Sequence, residues 1–210
     1  MSNTVESPEP SPTAGAGTNP VTHNEGVPRP SYRILLLLAS ISFILDQVTK
    51  WMVIREIPYG TYFLDTLSEL APVEIISDRF YLVHIGNRGA AWGILSGQST
   101  LLAILGCAVL AFIYFQREQL GLRRPTLQLS FGFLIGGILG NLVDRFVHGH
   151  VTDFLDVHLP ALPFLGFGGY RWPAFNLADS FIFTGIALYL IYSFFFEKRT
   201  PKEKVQTSED

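Results

Sequence analysis

Four long apolar runs alternate with polar segments along the chain, at about 33–54, 100–116, 126–147 and 177–196. Each is close to the roughly 20 residues a helix needs to cross a bilayer. The first run is too long for the apolar core of a signal peptide, and it carries Asp46 and Lys50 inside it. Ser99 or Thr100 is placed to cap the second. Between the first two runs, residues 79–86 (RFYLVHIG) combine aromatic and β-branched side chains, which predicts a strand near the membrane interface. A turn-rich segment follows from Asn87 to Gly93. Residues 159–173 are dense in Pro, Gly and aromatics and predict a semi-rigid flap on the membrane surface. Residues 1–30 are rich in Pro, Ser, Thr, Gly and Glu without an aromatic, which predicts a disordered tail. No basic start leads there into a short apolar core, so a signal peptide is not expected. The organisation expected is a tail (1–30), one membrane domain (31–197) and a polar cytoplasmic tail (198–210). Its fold class is an all-α membrane protein: four transmembrane helices with a small extracytoplasmic β/loop element.

Composition sharpens this picture. Of 210 residues 48% are hydrophobic and only 16% charged, although both ends are polar, so the middle is strongly apolar. The net charge of −3 and the lack of a basic block exclude a nucleic-acid binder. Cys107 is the single cysteine, so no intramolecular disulfide and no CxxC motif can form. Inside an apolar run it reads as a small buried hydrophobe. Arg29 and Arg33 precede the first run, Arg117, Arg123 and Arg124 join the second to the third, and Lys198, Arg199, Lys202 and Lys204 follow the fourth. By the positive-inside rule both termini are cytoplasmic and residues 55–99 and 148–176 are external.

The chemistry concentrates in residues 132–156. At helical spacing Gly132, Gly136, Gly140 and Asp144 form one ridge, and Gly137, Asn141 and Arg145 the next. Glycine ridges admit a neighbouring helix at close range. Packing alone does not explain why the same faces run on into Asn, Asp and Arg, because ionisable groups at membrane depth are costly. The expected topology brings Asp46 and Lys50, Asn141 with Asp144 and Arg145, Asp153, and Asn176 with Asp179 to one membrane depth. Asp46 and Lys50, spaced i,i+4, can pair, and Asp144 and Arg145 can join an ion-pair network that simply locks helix ends. Asp153 and Asp179 have no basic partner at helical spacing. Two such carboxylates close together cannot both ionise easily, which leaves a base and an acid side by side near neutral pH. That arrangement activates water against a peptide carbonyl. Asp156 competes with Asp153 for this place. His148 and His150 are a weak metal signal and read better as solvated interfacial histidines. Ser180 as a nucleophile would need a neutral Lys50, against which Asp46 works.

Five blocks, in order, resemble the lipoprotein signal peptidase (signal peptidase II) family. They are Asp46-Gln-Val-Thr-Lys50, Asn87-Arg-Gly-Ala-Ala-Trp-Gly93, Gly136-Gly-Ile-Leu-Gly-Asn-Leu-Val-Asp-Arg145, Val151-Thr-Asp-Phe154 and Phe175-Asn-Leu-Ala-Asp179. The resemblance covers the membrane core from about 33 to 196. It implies a four-helix aspartic endopeptidase of the bacterial inner membrane, active near the extracytoplasmic face without cofactor or metal. Such enzymes cut diacylglyceryl-modified prolipoproteins just before the lipidated cysteine, work among membrane lipids and are inhibited by globomycin. By the resemblance Asp153 and Asp179 are the catalytic pair. Asn87, Gly89, Ala90, Gly136, Gly140, Asn141, Asp144, Arg145 and Asn176 line or shape the site, with Asp46 and Lys50 in support. The chain departs from the family in its long N-terminal tail, an extended loop at 64–76 and an insertion at 159–170.

Two other functions are compatible with an apolar bundle. An ion or proton transporter could use the same polar cluster, though neither a sequence repeat nor paired broken helices are evident. A purely structural subunit would leave the two unpaired aspartates without a purpose.

Overall fold

The computed structural model describes residues 31–61, 72–90, 94–161, 164 and 168–196. The expected tails, residues 64–71 of the 64–76 loop and residues 162, 163 and 165–167 of the 159–170 insertion lie outside these residues. Among them the order is α1 (Arg33–Glu56), β1 (Val73–Ile76), β2 (Phe80–Asn87), α2 (Ser99–Phe115), α3 (Pro125–His148), β3 (Val151–Leu159), β4 (Tyr170–Arg171) and α4 (Leu177–Phe195). Each helix matches an apolar run to within two residues. α1, α3 and α4 are long and apolar enough to cross a membrane, and α2 is a shorter apolar helix. The protein is thus a mostly helical membrane protein carrying a four-stranded antiparallel sheet.

α3 is the central helix, because its two small-residue ridges face two different neighbours. A Cβ on Gly136 would lie 2.6 Å from the Ala39 carbonyl oxygen and 2.7 Å from Ser42 Cβ, both on α1. One on Gly140 would run into the Asp46 carboxyl, also on α1. On the other ridge, a Cβ on Gly137 would strike the Ala178 carbonyl oxygen of α4. Only glycine lets both backbones come this close. Away from the site, Leu35, Ile113, Leu122, Leu127 and Phe131 close the opposite end of the bundle.

The sheet is larger than the small β/loop element expected beside the helices. Its order is β1-β2-β3-β4, all antiparallel. β2 lies where residues 79–86 predicted a strand. β3 was not anticipated, because Thr, Asp and His interrupt its apolar pattern and it is buried on both faces over most of its length. Phe154 of β3 packs against Val53 and Ile57 at the end of α1, and this apolar contact seats the sheet on the bundle.

Two smaller expectations are corrected. The residue capping α2 is Gln98, without a side-chain cap bond, and not Ser99 or Thr100. Cys107 is exposed, not buried. α2 buries only Ala103 and Ile113, so most of its apolar circumference is left uncovered by the rest of the described residues.

Candidate active site

The end of α3 is tied to the start of β3. Gly149, at φ 72°, takes the left-handed conformation that ends α3. The Thr152 N–H then donates to Asp144 Oδ2 at 2.8 Å, which pins the first turn of chain after the helix. Register does the rest: Asn87 opposes Val151 and Ile85 opposes Asp153, so Asn87 and Asp153 are diagonal neighbours on one face. Asn87 Nδ2 donates to Asp153 Oδ2 at 2.9 Å. Its own Oδ1 accepts the Gly89 N–H at 2.8 Å in an Asx-type turn. That turn is tight, since a Cβ on Gly89 would sit 3.0 Å from the Ile94 carbonyl oxygen, which itself accepts the Ala90 N–H.

Asp153 is 2% exposed. Its carboxyl is pushed up to about 7, first by burial and next by the negative charge of Asp179. Hydrogen bonds from Asn87 and Asn176 and the charge of Lys50 pull the other way.

Asp179 is placed by the start of α4. Asn176 is the N-cap, and a capping box joins it to Asp179, three residues on. Asn176 Oδ1 accepts the Asp179 N–H at 3.0 Å, and the Asn176 N–H donates back to Asp179 Oδ2 at 3.4 Å. The free half of the Asn176 amide donates to Asp153 Oδ1 at 2.7 Å, so one side chain holds both aspartates. From α3, Asn141 Nδ2 donates to Asp179 Oδ1 at 2.7 Å.

Beneath the two aspartates lies a buried ion cluster. Lys50 Nζ meets Asp46 at 2.9 Å, Asp144 at 3.2 Å and Asn141 Oδ1 at 3.0 Å. Three acceptors match the three ammonium hydrogens of a lysine that is only 2% exposed, so none is buried without a partner. Asp46 Oδ1 also accepts the Ala178 N–H at 2.8 Å, so α1 holds the first turn of α4. Arg145 reaches across to the Gly89 carbonyl oxygen at 3.2 Å.

Asn87, Gly89, Ala90, Asn141, Arg145, Asp153 and Asp179 open onto one cavity of about 600 Å³. Its remaining wall is largely apolar, from Trp172 to Phe175 and along α4. Among the described residues neither Asp153 nor Asp179 is within ion-pair distance of a lysine or arginine. Both aspartates accept amide N–H groups instead.

The other sequence candidates separate cleanly. Gly136 and Gly140 pack against α1 and do not line the cavity. Asp156 is three residues from Asp153 and accepts from Arg171 at 2.6 and 3.0 Å and from His158 at 3.2 Å. Ser180 Oγ donates to the Asn176 carbonyl oxygen, and Lys50 is held by its carboxylates, so no serine–lysine arrangement forms. Two contributors went unnoticed in the sequence. Gln47 Nε2 lies 3.2 Å from Asp46, from the Gly140 carbonyl oxygen and from Asp144. Thr152 acts through its backbone alone. The Asn-x-x-Asp spacing of 176–179 is a capping signature that could have fixed the start of α4.

A family model described as signal peptidase (SPase) II matches residues 38–195. A lipoprotein signal peptidase of Aeromonas hydrophila is 37% identical over 171 residues, covering 78% of this chain and 90% of that protein. Another from Nostoc punctiforme is 38% identical over 173 residues, covering 80% and 92% respectively. A bacterial membrane enzyme solved by the in meso method at 2.3 Å superposes with a TM-score of 0.62 at 29% identity, covering 80% of this chain and 94% of that one. With more than half its length matched by the family model, and with relatives this similar along nearly their full length, the chain belongs to the signal peptidase II family, whose members are membrane peptidases of the aspartic type.

Proposed function

We propose that this enzyme removes the signal peptide from diacylglyceryl-modified prolipoproteins, cutting before the lipidated cysteine, with Asp153 and Asp179 as its catalytic pair. The observation that carries this reading is the meeting of the two carboxyls, from β3 and α4, in one largely apolar cavity with amide donors on each. Sharing one proton, they supply a base for water and an acid for the scissile carbonyl. Asn87, Asn141 and Asn176 hold the carboxyls, and Gly89 and Ala90 form the turn beside them. Arg145 offers a cation to the polarised substrate backbone. Asp46, Lys50 and Asp144 fix the helix ends on which all of this stands, and Gly136 and Gly140 let those helices approach.

The apolar wall along α4 suits acyl chains and a signal-peptide backbone, and a cyclic peptide such as globomycin would compete for the same space. Membrane lipids cover the exposed apolar faces of the helices. The 17 residues of α2 rise about 26 Å, near the roughly 30 Å of a bilayer core, so four crossings are inferred. Arg117, Arg123 and Arg124 between α2 and α3 put that loop on the cytoplasmic side. Both termini then face the cytoplasm, and the sheet and cavity face outward from the bacterial inner membrane.

The test is cleavage of a lipidated precursor by purified enzyme. Asp153→Asn and Asp179→Asn should each abolish cleavage while still inserting in the membrane; retained cleavage by either removes the pair from the mechanism. Activity should survive EDTA and fall to globomycin.

A further inference from the structure

Three asparagines aim their NH₂ groups at the two aspartates, and each is locked at its carbonyl end by a different donor. Asn87 is held by the Gly89 N–H at 2.8 Å and Asn176 by the Asp179 N–H at 3.0 Å. Both locks are neutral backbone groups. Asn141 alone is held by a cation, Lys50 Nζ at 3.0 Å. We propose that Lys50 is a positioning residue that acts through Asn141 to keep Asp179 the ionised member of the pair, so that the shared proton rests on Asp153. This rests on the assignment of Asp153 and Asp179 as the catalytic pair.

The lysine cannot turn elsewhere, because Asp46, Asp144 and Asn141 take its three hydrogens. The Asn141 amide cannot flip, since its NH₂ would then face the ammonium. A charged donor polarises the amide it binds, which strengthens the bond that the amide makes on its far side. That bond, 2.7 Å to Asp179 Oδ1, favours a carboxylate. Asp179 also occupies the first turn of α4, where the helix field favours an anion.

Among the described residues, the charged groups around the pair are Asp46 and Lys50 on α1, Asp144 and Arg145 on α3, and the two aspartates on β3 and α4. Asp156, paired with Arg171, is engaged elsewhere. Asp153 is the more deeply buried of the two, has only neutral amides on its oxygens and faces Asp179 as its charged neighbour. Burial and a like charge both disfavour a second anion there.

The reaction then has a direction. The Asp179 carboxylate takes a proton from water as the water oxygen bonds to the scissile carbon. The Asp153 O–H passes its proton to the carbonyl oxygen, giving a neutral gem-diol. As the C–N bond breaks, the leaving nitrogen takes the proton from Asp179, and a diol hydroxyl returns one to Asp153.

The test compares pH profiles of kcat/KM for Asn141→Ala and Asn87→Ala on a lipidated precursor. Asn141→Ala should move the acidic limb to higher pH, by roughly half a unit or more, and leave the alkaline limb in place. Asn87→Ala should move only the alkaline limb. The opposite pattern, or two unmoved limbs, overturns the proposal. Should either variant be inactive, infrared spectra in detergent decide. A carboxylic-acid C=O band near pH 6 should persist in Asp179→Asn and vanish in Asp153→Asn, and the reverse overturns the assignment. Full activity of both Asp→Asn variants would instead remove the underlying pair.

Discussion

Asn176 Nδ2 donates to Asp153 Oδ1 at 2.7 Å, across 23 residues of sequence and between a loop and a strand. The same amide accepts the Asp179 N–H through its oxygen, so the residue that starts α4 also sets the distance between two acids. The cap of α4 and the proposed catalytic pair are thereby joined in one side chain.

They can be separated by substitution. Asn176→Ala should lose a cap, about 1 kcal/mol, and leave buried donors and acceptors unmet, about 1–3 kcal/mol more. Asn176→Ser keeps an oxygen for the cap but cannot reach Asp153. It should recover most of the thermal stability in detergent while kcat stays low. Equal recovery of both would mean that the amide serves only the helix.

The raised carboxyl of Asp153 makes stability depend on pH. Unfolded, it titrates near 3.8; folded, near 7. Between these values the folded protein binds the extra proton, so the contribution of Asp153 is full below about pH 4 and is lost as pH rises through about 7. Thermal midpoints of the wild type in detergent should therefore carry a decline over that window which Asp153→Asn lacks. Parallel curves for the two proteins would show that the carboxyl is not perturbed.

Gly137 and Gly140 sit where a methyl group meets something rigid. At Gly137 the obstacle is the backbone of α4, and at Gly140 it is a carboxyl already fixed by Lys50 and the Ala178 N–H. Either Gly→Ala change should cost about 1–3 kcal/mol, despite the better helix propensity of alanine. Gly106→Ala faces only the flexible Leu142 side chain, at 3.1 Å, and should stay within about 1 kcal/mol of the wild type. Thermal unfolding in detergent ranks the three.

Asp156 is as buried as Asp153 yet should be dispensable for chemistry. Asp156→Asn weakens its two bonds with Arg171 and should lower stability by about 1–3 kcal/mol. Measured well below its unfolding temperature, kcat should remain near wild type. A loss comparable with that of Asp153→Asn would put Asp156 in the mechanism.

What the sequence determined by itself was everything with a local period. Apolar runs of membrane length became helices at nearly the residues expected, because the cost of exposing backbone in lipid leaves such a run little choice. The two ridges of α3 were readable for the same reason: spacing of three and four residues is a property of the helix alone. Asp153 and Asp179 stood out because no basic residue lay at helical distance. Only the tertiary structure decided how they meet. Asp153 stands on a strand whose polar residues hid it and whose partner lies some 66 residues earlier. The three asparagine amides gain their direction from donors on other elements or turns, and Asp156 finds its counter-charge on β4. Such bonds depend on register and close helix approach, and neither is encoded in any single stretch of the chain.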